Sequence, residues 1–441
     1  MNLLCHQADV DSAFPYADLE EEIYIKPPEG VSVPPGFILR LHKALYGLKQ
    51  APRAWYKLVT ETLSRFGFAR CKSDPCIFIF KRLNKISNHV DVCILAVYVD
   101  DILIAGNTMD LVMEVKEFLA DNFKIKDMGP VKIMLDINVH HDIQKGVLTL
   151  DQRKLTEKIV SEFDTFNDEL FNSRRGKLLK ARDIEVTPMI CGQVLSSTSD
   201  MPEDQPGNEM YVDVSKLPYM RLVGCLLYLM TCTRPDISFA TTAVSRYMTN
   251  PLYVHWLACL HIVRYLKGTL NVGVTYSREN KLGFMLCGFS DSDWASSDLE
   301  HRRSVTGYDV FFCGGPIAWR SHLQSTVAKS SCKAKYYALS DIKDEIVFTK
   351  SILSELGIKF DKPVPIFIDN KGAVDLSGNP MYHKRTKHID IRYHFIREKV
   401  GDGTVIILKI STKSNLADVH TKSVTKEIFL RLTPYIISKI F

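Results

Sequence analysis

A chain of 441 residues has room for two or three domains, each able to bury its own core. Its 46% hydrophobic and 24% charged residues are the composition of a folded globular protein and exclude an extended disordered one. The net charge of +5 suits a nucleic-acid partner but is too dilute to name one, and the eleven cysteines, with no CxxC pair or zinc-spaced Cys/His cluster, read as reduced core thiols of an intracellular protein.

The N-terminal MNLLCHQADVDSAF carries acids where a secretory signal would be apolar, so no signal peptide is expected. CILAVYVDDILIAG is two apolar runs hinged on Asp100 and Asp101, the pattern of a strand, a tight turn and a strand. Thr108 is then placed to cap a helix in which Leu111, Val112, Val115, Phe118 and Leu119 recur at helical spacing, and strands follow over 132–140 and 146–151. Residues 196–216 are rich in Ser, Pro, Gly and acids and read as a linker. LVGCLLYLMTC, from Leu222, falls short of the about 20 residues that span a bilayer and reads as a buried helix, so no membrane segment is expected.

A second junction falls over 277–281, where the helical pattern of HWLACLHIVRYLKG gives way to the alternation of LGFMLCGFSD. Strands are expected over 283–290, 305–313 and 317–321, then a long helix with Ala338, Ile342, Ile346, Leu353 and Leu356 on one face and Gly357 closing it. The strand VPIFID, a helix after Asn370, a basic helical segment over 384–399, the strand TVIILKI and a final helix from Asn415 complete the order. Three strands, a long helix and an alternation of strand and helix make an α/β layered domain.

Asp100 and Asp101 repel each other in a tight turn unless a cation relieves them, although a bare acid pair in a turn is more often simply solvated. A further acid-bearing strand, HQADVDSAF, supplies Asp9, and the three acids together could hold the two metals of a nucleotidyl-transfer site.

DVDSAF, LYGLKQAPRAW and YVDD, in this order and spacing, resemble the polymerase motifs of copia-type LTR retrotransposon reverse transcriptases. DLEEEIYIKPPEG, YMRLVGCLLYLMTCTRPDISFA, HWLACLHIVRYLKGT and RTKHIDIRYHFIRE extend the resemblance over nearly the whole chain. It implies Asp9 and Asp100 as metal ligands, Asp101 as the supporting acid, and Phe14 as the aromatic gate against a ribose 2′-hydroxyl. Gly47, Gln50, Pro52 and Tyr98 would lie on the substrate side. The implied cofactor is Mg2+ (or Mn2+), two ions per active site, and the implied partners are an RNA template, a DNA primer, deoxynucleoside triphosphates and an RNA:DNA hybrid.

The C-terminal order resembles the ribonuclease H domain that follows such polymerases, whose carboxylates hold two metals for hydrolysis of a hybrid. Asp291 in GFSDSDW, Asp369 in IFIDN and Asp418 in NLADVHTK match three of its four catalytic and metal-holding acids. The fourth comes from a helix start like STEAEYMALS; here the letters are SSCKAKYYALS, so Lys335 stands at the Glu position and Lys333 replaces another acid. A cation about 4 Å from a divalent ion is repelled by on the order of 8 kcal/mol at an effective dielectric of about 20, unless the flexible side chain swings away. Lys333 also leaves the S-x-x-E capping box begun by Ser330 without its acceptor.

The expected fold class is α/β: an α+β polymerase palm and thumb followed by an RNase H-like α/β domain with a mixed five-stranded sheet. The expected domains are palm and thumb over 1–165 with the fingers largely missing, a linker and helical connection over 166–281, the RNase H-like domain over 282–425 and a tail over 426–441. Asp9 lies eight residues from Met1, which suggests an N-terminally truncated, degenerate copy with little activity at either site. In IMLDI the family has a glycine where Leu135 stands, in the hairpin that positions the primer, and Leu would be costly there if φ is positive. His388 and His394 are expected to be structural. The contrasting expectation is a non-catalytic nucleic-acid binder or a host-retained interaction protein.

Overall fold

The computed structural model describes residues 3–84, 89–172, 184–208, 211–279, 282–283, 285–295, 301–378 and 390–440. The chain divides into two compact units, Met1–Met134 with Ser351–Lys359, and Leu135–Lys350 with Phe360–Phe441.

The first unit is built on a six-stranded sheet in the order Ala69–Arg70, Ile77–Asn84, His89–Tyr98, Asp101–Gly106, Leu4–Val10, Ile125–Pro130. The expected strand, turn and strand are present: His89–Tyr98 and Asp101–Gly106 run antiparallel with Tyr98 opposite Asp101, which leaves only Val99 and Asp100 in the turn. Alternation buries Cys93, Leu95, Ile102 and Ile104 in one core with Trp55, Val59 and Leu63 of the helix Ala51–Phe66 and with Leu111, Val112, Val115 and Leu119 of the helix Met109–Asn122. Thr108 caps that second helix by accepting from the Leu111 N–H at 3.3 Å, a contact worth about 1 kcal/mol.

In the second unit, Leu286–Asp293, Val305–Phe312 and Gly315–Leu323 form an antiparallel meander, and Val364–Ile368 and Val405–Lys409 extend it in parallel from Leu286–Asp293. This is the mixed five-stranded sheet that the resemblance implied for the C-terminal domain. The long helix Ser331–Glu355 buries Ala338, Ile342 and Ile346. It can lie this close because Gly288 has no side chain: a Cβ there would stand 2.6 Å from Ile342 Cδ1 and 2.8 Å from Ile346 Cδ1.

The helices Tyr219–Cys232, Ser238–Ser245 and Tyr253–Lys267 share a core with Cys287, Phe289, Val305 and Phe311 of that sheet. Leu195, just before the Ser- and Pro-rich stretch, and Val214, within it, are buried in the same core, and Met201 and Val212 pack on it. Residues beyond 425 contribute as well, through buried Phe429, Leu432 and Ile436 and a short strand, Ser438–Lys439, that pairs with Val272–Ser277. His255 is fully buried: its Nδ1 accepts from the Leu252 N–H at 2.9 Å and its Nε2 lies 2.9 Å from the Ser196 carbonyl, so the neutral ring is the one that fits.

Two elements differ from expectation. The strand expected over 132–140 is broken by left-handed residues Leu135 and Asp136 into Ile133–Met134 and Ile137–Asp142. In place of a continuous helix from Asn415 there is a short 3₁₀ turn, Leu416–His420, and a separate helix, Lys426–Leu432. Asn415 Nδ2 donates to the Ser290 carbonyl at 3.0 Å and Thr421 Oγ1 to Asp291 Oδ2 at 3.1 Å, which ties the turn to the sheet, and Thr425 starts a new cap by accepting from the Ile428 N–H. Of the basic segment, the helix Asp390–Gly401 is seen; His388 and the side chain of His394 lie outside the described residues. Among the described residues no helix is long and apolar enough to cross a membrane.

Candidate functional site

Two acid-bearing centres lie in the chain, one in each unit. In the first, Asp9 and Asp101 are partners across neighbouring antiparallel strands, and the Val10 N–H donates to the Asp100 carbonyl at 2.8 Å. The turn between the strands is strained: Val99 has φ 55°, a left-handed backbone that a β-branched residue rarely adopts and that two-residue hairpins usually give to glycine. Trp55 holds it there, with an almost fully buried indole whose Nε1 donates to the Val99 carbonyl at 2.7 Å. The last letter of LYGLKQAPRAW thus reaches the turn of YVDD, a contact between motifs that sequence reading missed.

Burial, then the charges of Asp100 and Asp101, raise the Asp9 carboxyl above the usual carboxylate range, while Lys126 opposes them. Asp101 is held aside by Gln7, whose Nε2 donates to its Oδ1 at 3.0 Å. Asp9 and Asp100 offer hard oxygen donors in a crowded anionic setting, which fits a divalent cation such as Mg2+; that ion keeps waters and needs only one or two carboxylates besides substrate phosphates. Among the described residues no group of three or more His, Cys, Asp or Glu is placed to hold a metal ion by itself.

Phe14, 7% exposed, sits in a short 3₁₀ turn with its ring centroid 4.5 Å from that of Tyr46. Burial and then the neighbouring Asp100 charge raise the Tyr46 phenol above its usual range, so this half-exposed ring lies beside both the aromatic and the acid. Tyr46 was passed over in favour of its neighbour Gly47, whose φ of 95° answers a turn requirement. Tyr98 is exposed at the strand end opposite Asp101. Gln50 and Pro52 begin the helix Ala51–Phe66, and Gln50 lines an open groove with Arg53, Lys57 and Arg70 whose walls include none of the three acids. Leu135 and Asp136 have φ of 51° and 57°, so the leucine does occupy the left-handed backbone that glycine would take without strain.

The second centre gathers Asp291 near the end of Leu286–Asp293, Asp369 after Val364–Ile368, and Asp418 in the 3₁₀ turn. The turn approaches the sheet through Gly307, where a Cβ would stand 2.7 Å from Thr421 Cγ2 and 2.9 Å from the Ala417 carbonyl. Lys335 does not swing away. Its Nζ lies 2.7 Å from Asp291 Oδ1 and also bonds Asp369 Oδ1, with the lysine side chain 15% exposed and the two acids 3% and 8%. Thr421 donates to Asp291 Oδ2 and Thr412 to Asp369 Oδ2, at 3.1 and 2.9 Å. Lys422 Nζ pairs with Asp418 Oδ1 at 2.6 Å.

Burial alone would lower the Lys335 ammonium, but Asp291 and Asp369 outweigh it and raise it above the ordinary lysine range. Burial raises the Asp418 carboxyl, with Lys422 pulling the other way. Sequence reading missed Lys422, although its spacing of four from Asp418 is that of an ion pair, and missed Thr412 and Thr421. At the helix start, Ser330 accepts from the Lys333 N–H at 3.3 Å, so the cap keeps one half of the box. Nearby, His420 bridges Asp309 and Ser238, but all three are buried and a substrate has no route to the serine, which makes this a packing network.

Residues 1–171 match the family described as reverse transcriptase (RNA-dependent DNA polymerase). Over 97% of the chain there is 39% identity to the retrovirus-related Pol polyprotein from transposon TNT 1-94 of Nicotiana tabacum, and over 96% there is 35% identity to that from transposon RE2 of Arabidopsis thaliana. The chain spans 30% and 27% of the length of these two relatives. A solved foamy viral protease-reverse transcriptase in complex with an RNA/DNA hybrid aligns over 96% of this chain and 46% of its own, at 12% identity and a TM-score of 0.47, a likeness too loose to argue from.

Proposed function

Since the chain belongs to the reverse transcriptase family of copia-type retrotransposon Pol polyproteins, we propose that its first centre carries out template-directed nucleotidyl transfer and that its second centre, in an RNase H-like domain, no longer hydrolyses a hybrid. The observation that carries the first half is the register of Asp9 beside Asp101, with Asp100 on a strained turn pinned by Trp55. Asp9 and Asp100 would hold two Mg2+ or Mn2+ ions, whose chemistry is to activate a primer 3′-hydroxyl and to neutralise the triphosphate. Asp101, bonded to Gln7, supports the turn, and Phe14, packed at a tilt against Tyr46, offers the bulk that would exclude a ribose 2′-hydroxyl from the deoxynucleoside triphosphate. An RNA template and a DNA primer are the remaining partners. Extension is expected to be weak, because Leu135 takes a left-handed backbone at a steric cost in the segment that the resemblance assigns to the primer.

Primer extension by the purified chain in Mg2+ or Mn2+ tests the first half: Asp100→Asn should lower the rate by on the order of 10³-fold or more, about 4 kcal/mol of barrier. An unchanged rate would place the reaction elsewhere. The Lys335 pairing also favours a second reading for the C-terminal domain, that it holds a hybrid without cutting it. Salt-sensitive hybrid binding without turnover would support that reading, and cleavage equal to that of Lys335→Glu would refute it.

A further inference from the structure

The second centre does not fit a divalent metal, and the reason lies in how its carboxylate oxygens are spent. Both oxygens of Asp291 are engaged, by Lys335 and Thr421, and both of Asp369, by Lys335 and Thr412. Asp418 Oδ1 is taken by Lys422. The two lysine charges offset two of the three carboxylates, so most of the electrostatic demand for an added cation is gone.

We propose that this centre is a metal-free cross-brace, in which the Lys335 ammonium occupies the space between Asp291 and Asp369 and fastens the helix Ser331–Glu355 to two strand ends, so that the fold neither binds nor needs a divalent ion there. The brace joins residues 44 and 34 positions apart in sequence. An ammonium has three donors and no lone pair to offer a metal, so it can satisfy both acids but cannot share them with an ion. Lys422 keeps the third acid from reaching across, because its partner Asp418 is only 6% exposed and already bonded.

The test uses the full chain with Asp9→Asn and Asp100→Asn, which removes the charges of the first centre's two proposed metal ligands, and reads Mn2+ binding by electron paramagnetic resonance and thermal unfolding with and without Mn2+. This background chain should bind no Mn2+ at the second centre, and its unfolding midpoint should not move. Adding Lys335→Glu should create one Mn2+ site and a midpoint that rises by several degrees with the ion and falls back with a chelator. Lys335→Met should lower the midpoint in the absence of metal, since it leaves Asp291 and Asp369 buried side by side without their cation. Mn2+ bound by the background chain as tightly as by the Lys335→Glu chain would overturn the proposal, as would a Lys335→Met midpoint equal to the background. If Lys335→Glu does not fold, the background chain and Lys335→Met decide the matter.

Discussion

The two acidic centres resolve the same problem in opposite ways. Around Asp9 the carboxylates crowd one another, with Lys126 opposing the crowding and Gln7 drawing Asp101 aside. Around Asp291 the acids are more deeply buried yet bonded, because Lys335 and Lys422 bring cations from within the chain. Clustered acids therefore invite a metal only where their charge is left open. What separates the two centres is whether a cation side chain can reach the oxygens.

The strongest way to break this comparison is to take away the internal cation. Lys335→Met should destabilise the folded chain by about 3 kcal/mol in a denaturant titration, the scale for removing one partner of a buried ion pair. A loss below about 1 kcal/mol would mean that the pair is solvated and that the two centres are alike. Next in size, Trp55→Phe removes the donor to the Val99 carbonyl and should cost about 1–2 kcal/mol, with a larger proportional loss of primer extension because the acid turn loses its anchor.

Alkali and acid should then act on different centres. The Lys335 ammonium is raised in the fold, so its contribution is complete below the ordinary lysine range and is lost as pH rises through and beyond it; Lys335→Met should erase that alkaline step in a pH series of unfolding midpoints. The Asp9 carboxyl is also raised, which for an acid means that the fold is penalised once it ionises. Asp9→Asn should therefore raise the unfolding midpoint at neutral pH, and the gain should vanish below the ordinary carboxylate range. The smallest effect is expected from Leu135→Gly, which relieves a φ of 51° and should stabilise by about 1 kcal/mol, with a modest gain in extension.

Much of this was legible in the letters. Period-two alternation placed the strands on either side of Asp100 and the five strands of the second sheet, and the Thr108 cap fell where its side chain bonds. The order of the acids picked out residues that the fold does bring together, Asp9 beside Asp101 and Asp291 with Asp369 on Lys335. What escaped were contacts that join distant letters: Trp55 to Val99, Tyr46 to Phe14, and Thr421 and Thr412 to the acids of the second centre. The direction of Lys335 escaped for a related reason. Its identity was visible, but whether a flexible stem points toward water or toward two acids depends on where Asp291 and Asp369 converge, which no local pattern encodes. The final helix failed because tertiary bonds from Asn415 and Thr421 override local propensity.

The lysine at position 335 has one more consequence. A tethered ammonium is supplied once per chain by translation, at a local concentration that no buffer can dilute and no chelator can strip. On the reading proposed above, the first centre would depend on the supply of cations around it, while the second carries its own.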